Sequence, residues 1–343
     1  MKKNKIQFYI FSLVILFTVI GCKNSGNKRY EINFQLGTLV ELTIYKGGSD
    51  TILKDAFNLI EEMEKTLSRN IELSEISEIN RRSGISPVKV SDDTFFVIKK
   101  SIYYSELSEG FFDVTIGPLV SLWGIGTEGA RVPAADEINN VLDLIDYRKM
   151  KLTPLNNLVF LEERGMEIDL GAIAKGFIAD KVCRLFKEDG VKSAIINLGG
   201  DVALLGRKQD GNLFRIGIQN PFENRGGLAG IYEGEDVAIV TSGIYERYFE
   251  ENGNKYHHIF NPKTGYPADN DIAGITVITA KATDADALST SLFMFGSKEA
   301  LALAEKFTDT EVIIITKDKK VILSSGIKSS FKITNRDFVL AEN

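Results

Sequence analysis

Asp286 and Thr290 stand four residues apart in KATDADALSTSLFMFG (281–296), a run otherwise apolar enough to be a buried helix. On a helix that spacing puts both side chains on one face, so a carboxylate and a hydroxyl can converge on one point. Oxygen donors suit a hard cation such as Mg²⁺, which takes few protein ligands and leaves places for water and phosphate. The competing reading is a helix start, with Thr283-Asp284 capping the first turn and Asp286 near the positive end of the dipole.

IDLGAIAKG (168–176) reads as a strand feeding a glycine-containing turn at the start of a helix, with Lys175 in its first turns. Such an end attracts phosphate through unsatisfied N–H groups and the helix dipole. Gly199-Gly200-Asp201 after a strand either lets backbone approach a ligand closely or makes a tight turn. The chain's two histidines are adjacent in YHHIFNPKTGYP (256–267). On a strand they face opposite ways, so one at most enters a given site, as a general base or as a buried ring with two hydrogen bonds. The stretch GFFDVTIGPLVSLWG (110–124) holds the single tryptophan and is too apolar for an ordinary loop. It either lines a pocket or packs into the core. IDLGAIAKG is neither a Walker loop nor a GxGxxG fingerprint, and no GxSxG or HExxH pattern occurs in the chain, which removes the commonest hydrolase signatures.

The elements that must hold these residues follow from periodicity. Ile32, Phe34, Leu36, Val40, Leu42 and Ile44, all at even positions, predict one long strand, bent or bulged at Gly37. Leu53, Phe57, Ile60, Met63 and Leu67 predict an amphipathic helix ending near 68–70, and Ile76 and Ile79 a short one. Val90-Ser91-Asp92-Asp93 starts another, with Ile98 and Ile102 inward and closure at Gly110. A helix follows to about Lys187, closed by Gly190, and strands are expected at 158–161, 166–168, 194–198, 213–218, 236–241, 275–279, 311–316 and 321–323. Helices in separated blocks among more numerous strands favour an α+β fold over a doubly wound sheet.

Lys2, Lys3 and Lys5 precede an apolar run from Ile6 to Gly21 that stops at Cys22 and gives way to KNSGNKR. This has the form of an export leader (1–21), and Val19-Ile20-Gly21-Cys22 has the form of a lipobox that lipidates Cys22; a plain signal anchor is the alternative. A polar linker (22–30) then joins the acyl anchor to a domain spanning 31–343. The expected place is a bacterial membrane, facing the periplasm. Removing the leader takes three lysines and no acids, so the formal charge moves from −6 to −9, which disfavours nucleic acid as a partner. With Cys22 acylated, Cys183 has no partner for a disulfide; its spacing with Ala179 and Phe186 places it in the core.

Taken in order, LGTLVELTIY, LSRN with SEISEIN, GFFDVTIGPLVSLWG, EIDLGAIAKGFIADKV, INLGGDVALLG, HHIFNPKTGYP and DADALSTSLFMFG resemble the ApbE family, the FAD:protein FMN transferases. The resemblance implies an α+β, tunnelling-fold-like architecture with a smaller helical part, binding FAD in a cleft with Mg²⁺ beside the pyrophosphate. It implies Asp286, Thr290 and the Ala172 carbonyl as metal ligands. Asp169 and Lys175 are implied to hold FAD, and Leu36, Asn70, Phe111, Phe112, Asp113 and Phe260 to line its pocket. His258 is favoured over His257 for catalysis, with Lys175 stabilising charge. The implied reaction moves FMN from FAD to a threonine hydroxyl of a partner protein and releases AMP. The implied acceptors include subunits of ion-pumping redox complexes. Asn70 stands where many members carry an aromatic, and Asn261 replaces a usual aspartate. Similar proteins in spirochaetes are described as Mg²⁺-dependent FAD pyrophosphatases, so hydrolysis to FMN and AMP is the alternative, beside a non-catalytic flavin-binding lipoprotein.

Overall fold

The even-numbered apolar run from Ile32 to Ile44 turns back on itself instead of continuing as one bent strand. Leu36 (φ 56°) and Gly37 (φ 67°) form a two-residue turn between β1 (Arg29–Gln35) and β2 (Thr38–Lys46). Left-handed backbone at both positions matches the twist of a hairpin. Ile32 therefore pairs with Glu41 and Phe34 with Leu39, so the even residues of β1 share a face with the odd residues of β2. Val40, Leu42 and Ile44 are buried while Ile32 and Phe34 are exposed. The computed structural model describes residues 28–223 and 226–341. The expected leader, Cys22 and most of the linker lie outside them, and the linker ends earlier than expected because Arg29 already pairs with Ile44.

From this hairpin a nine-stranded sheet grows in chain order. It continues through β3 (Ser193–Leu198), β4 (Asp201–Leu205), β5 (Ala238–Gly243), β6 (Ile272–Thr279), β7 (Thr310–Thr316), β8 (Lys320–Leu323) and β9 (Val339–Leu340). All neighbours are antiparallel except β8 and β9. Helices enter in two blocks. α1 (Ile52–Leu67), α2 (Glu75–Arg81), α3 (Asp92–Leu107), α4 (Gly117–Trp123), α5 (Ala135–Leu142) and α6 (Ala174–Glu188) lie between β2 and β3. α7 (Ala282–Phe293) and α8 (Ser297–Ala304) lie between β6 and β7. The expected α+β class holds, and the sheet stays open.

Every residue of β6 is buried because both faces of the sheet are covered. On one side Leu42, Ile196, Val240 and Val277 pack with Ile60, Ile178 and Leu288 of the helices. On the other, Ile239, Ile278 and Ile313 meet Phe214, Tyr232 and Phe331 from a small three-stranded sheet (214–219, 228–234 and 331–333). Two expectations change here. The second half of 110–124 is the helix α4, whose Trp123 is fully buried and donates its indole N–H to the Gly265 carbonyl at 2.9 Å. The expected strand at 166–168 is only an isolated bridge from Glu167 to Ile116, beside Gly117, where a Cβ would lie 2.6 Å from the Glu167 carbonyl.

Candidate active site

α6 and α7 cross so closely that Gly176 has room for no side chain: a Cβ there would lie 2.1 Å from the Ala282 carbonyl and 2.7 Å from the Asp286 Cβ. This contact sets Asp286 beside the start of α6. The Gly176 N–H, which an ordinary helix would pass to the carbonyl four residues back, is donated to Asp286 Oδ2 at 2.9 Å. The Ala172 carbonyl is thus left without that donor, at the wall of a cleft that Asp286 and Thr290 also line. The Thr290 hydroxyl lies 3.3 Å from that of Ser242 on β5.

Lys175, in the first turn of α6, pairs with Asp201, the first residue of β4. Gly199 and Gly200, both left-handed, form the hairpin turn that delivers Asp201 to the cleft. The tight-turn reading of Gly199-Gly200-Asp201 is therefore right for the glycines, whereas the acid belongs to the site and was missed. Asp286 is buried, and burial, then repulsion from Asp201, push its carboxyl up to about 7, against the pull of Lys175 and the Gly176 N–H. Burial alone would lower the Lys175 ammonium, but Asp201 and Asp286 outweigh it and hold the group above its ordinary value. Two carboxylates and one ammonium leave a negative charge in a buried place, which a cation would neutralise. The donor set fits Mg²⁺: one buried carboxylate, one hydroxyl and one freed carbonyl, all oxygen. Among the described residues no cluster of three or more His, Cys, Asp and Glu offers a softer metal an alternative.

The cleft, about 200 Å³, continues past Phe111, Asp113, Asp169, His258 and Phe260. Phe260 packs on Trp123 at 5.6 Å and Phe111 edge-on to Phe295 at 5.2 Å, so both aromatic walls are anchored from behind. Phe112 also borders the cleft, from a position buried in the core. Asp113 accepts from the Thr115 N–H (2.8 Å) and hydroxyl (2.7 Å) on one oxygen and from the Tyr147 N–H (2.9 Å) on the other. Burial raises its carboxyl while those bonds oppose the rise, so it acts as a clasp on the loop. Asp169 accepts from Gly171 N–H at 2.7 Å and pairs with Arg69 at 3.3 Å. Arg247 and Glu246 also line the cleft and were missed, having no motif of their own.

The histidines divide as the strand reading expects. His257, the last residue of the strand 254–257, turns away into the protein, its Nε2 3.0 Å from the Ala268 carbonyl. His258 lines the cleft, and Nδ1 lies 3.2 Å from the Arg247 carbonyl, which requires the proton on Nδ1 and leaves the Nε2 lone pair free. Burial, then Arg247, lowers this ring to about 4, so it is neutral near pH 7.

Three expectations need correction. Asp284 does not cap α7: it lies in the first turn but turns outward to Lys100 (2.9 Å) and the Tyr104 hydroxyl (2.6 Å) of α3. The cap comes from Asp180 on α6, which accepts from the Ala282 and Thr283 N–H groups at 3.0 Å each and from the Thr283 hydroxyl at 2.6 Å. A tertiary cap of this kind leaves no local signature. Leu36 and Asn70 do not line the cleft: Leu36 is at the β1–β2 turn and Asn70 is exposed beside Arg69.

Residues 36–314 match the model of the ApbE family. The chain belongs to the ApbE family. It is 32% identical over 361 residues to the FAD:protein FMN transferase of Treponema pallidum (strain Nichols), covering 99% of each chain. To that of Klebsiella pneumoniae (strain 342) it is 38% identical over 308 residues, covering 90% of this chain and 95% of the relative. Among solved structures, the ApbE protein of Thermotoga maritima superposes with a TM-score of 0.83 at 30% identity, and flavin transferase ApbE of Vibrio cholerae with 0.81 at 30%. Each pair covers 89% of this chain and 99% of the other. The residues that line the cleft, from Phe111 to Thr290, all fall within the matched region of the ApbE family.

Proposed function

We propose that this ApbE-family enzyme transfers FMN from FAD to a threonine hydroxyl of a partner protein, releasing AMP. The observation that carries this reading is the convergence of Asp286, Thr290, Ala172 and Lys175 on one cleft, with anchored aromatic walls and a neutral His258 beside them. The names of the relatives agree with it.

Asp286, Thr290 and the Ala172 carbonyl would hold Mg²⁺, which supplies neutralisation of pyrophosphate charge as the bond to AMP breaks. The chain's own groups do the rest. Lys175, kept charged by Asp201, offers a fixed cation where negative charge develops. Phe111 and Phe260 give flat apolar walls for the flavin. The acceptor hydroxyl attacks the FMN phosphorus, the bond from that phosphorus to the bridging oxygen breaks, and AMP leaves with that oxygen. The hydroxyl proton goes to His258 Nε2, the ring nitrogen left unprotonated by the Nδ1 bond to the Arg247 carbonyl. At about 200 Å³ the cleft is below the 300–1,000 Å³ usual for a drug-sized ligand, so part of the dinucleotide extends beyond it.

We also place the mature chain at a bacterial membrane, lipidated on Cys22 and facing the periplasm, which suits acceptors such as subunits of ion-pumping redox complexes. The test incubates purified protein with FAD and Mg²⁺, with and without a threonine-bearing acceptor peptide, following AMP and peptide mass. AMP together with an FMN-sized mass gain supports transfer. AMP with no modified peptide makes the protein a pyrophosphatase, and no AMP at all leaves a flavin-binding protein.

A further inference from the structure

Four large apolar side chains are exposed together at one edge of the molecule. Tyr30, Ile32 and Phe34 alternate along β1, and Leu39 lies across from Phe34 on β2; they are 66, 48, 73 and 53% exposed. On the opposite face of β1 Arg29 donates to the Gly47 carbonyl of the loop after β2 at 2.6 Å, Gln35 to the Phe57 carbonyl of α1 at 3.1 Å, and Asn33 to the exposed Glu31 at 3.1 Å. β1 thus carries its large apolar side chains exposed, on the face turned away from the helices. The small sheet that buries this face elsewhere reaches the hairpin through Tyr45, whose ring lies 5.4 Å from that of Phe214. A contiguous exposed apolar strip marks an interaction surface.

The preceding chain identifies what covers it. Six residues (23–28) separate Cys22 from Arg29, a reach of about 25 Å when fully extended. β1 is the outermost of nine strands, so β9 at the far edge is roughly 38 Å away at strand spacing. An anchor at Cys22 therefore holds the β1 edge, rather than the far edge, against the bilayer. Residues 22–30 contain Lys23, Lys28 and Arg29 and no acid. The Lys28 ammonium lies over the Tyr30 and Tyr45 rings at 5.6 and 5.5 Å. Aromatic and aliphatic side chains flanked by cations are the composition of a membrane interface with anionic lipid. The acid of this face, Glu41, sits toward β3, at 3.4 Å from the Asn197 amide.

We propose that Tyr30, Ile32, Phe34 and Leu39 seat in the headgroup region of the bilayer that carries the anchor, so that the protein lies on the membrane in a fixed orientation. This rests on lipidation of Cys22 and not on the transferase activity. The test uses the full chain, processed in a bacterial membrane, carrying Phe34→Trp and reconstituted in phosphatidylethanolamine–phosphatidylglycerol vesicles with brominated acyl chains. Trp123 is fully buried and provides a constant background. The new indole is expected to be quenched about twofold or more, and AMP release to be unchanged. An acylated protein, by intact mass, with an unquenched indole overturns the proposal and leaves the anchor standing. A protein not acylated on Cys22 overturns both. An unquenched indole together with a dimer that Phe34→Glu dissolves assigns the strip to a second copy and overturns the bilayer reading. A quenched but inactive protein supports the membrane seat and removes the transferase reading alone.

Discussion

The Gly176 N–H points at the Asp286 carboxylate, 2.9 Å from Oδ2, across a helix crossing too tight for a Cβ. One contact thus fixes the carboxylate and frees the Ala172 carbonyl. Gly176→Ala must push α7 away from α6. We expect a loss of about 1–3 kcal/mol from overpacking, read as a lower Tm, and at least a tenfold drop in AMP release. An unchanged rate would mean that Asp286 need not be held so closely.

Asp286→Asn separates function from stability. The carboxyl is raised from its ordinary value to about 7, first by burial and then by Asp201. In the metal-free protein, keeping it ionised therefore destabilises the fold, and this effect grows as pH rises from about 4 to 7, by up to about 1.4 kcal/mol per pH unit. The asparagine keeps an oxygen for the Gly176 N–H and removes the charge. We expect turnover to vanish while Tm in chelator at pH 8 rises. A lower Tm with chelator would show that the carboxylate holds the fold together.

Lys175 and Asp201 should behave as a coupled pair. Lys175→Met leaves Asp201 and Asp286 facing each other in a buried site, and we expect a loss of roughly 3 kcal/mol at most. Adding Asp201→Asn should restore most of that stability without restoring activity. Denaturant unfolding of the wild type, both single variants and the double variant closes the cycle. Additive losses would mean that the two groups act separately.

The cleft-facing residues were legible because helical spacing puts Asp286 and Thr290 on one face wherever the helix lies, and β-strand alternation separates His257 from His258 in the same way. What sequence hid was tertiary. Asp180 caps a helix 102 residues away, and its own neighbours mark it only as a mid-helix acid. Asp201 enters the cleft through a hairpin turn whose glycines account for themselves locally. The β1–β2 hairpin was misread for a sharper reason: a two-residue turn moves the even-numbered apolar pattern from one face of the sheet to the other, so periodicity alone cannot tell buried Leu42 from exposed Phe34.

His257 makes acid stability a readout of the wall beside the cleft. Its Nδ1 faces the Ile259 N–H at 3.3 Å, so it must accept there, and Nε2–H donates to the Ala268 carbonyl at 3.0 Å. Burial, which outweighs the Ala268 bond, lowers the ring from 6.5 to about 4. A histidine held below its unfolded value binds its proton more readily in the unfolded chain. Stability from this group is therefore complete above about pH 6.5 and is lost as pH falls toward 4, by the order of 3 kcal/mol across the window. His257→Gln keeps a donor for Ala268 and has nothing to titrate. Its unfolding free energy should fall less steeply over the same range, and an identical pH profile would place the acid sensitivity elsewhere.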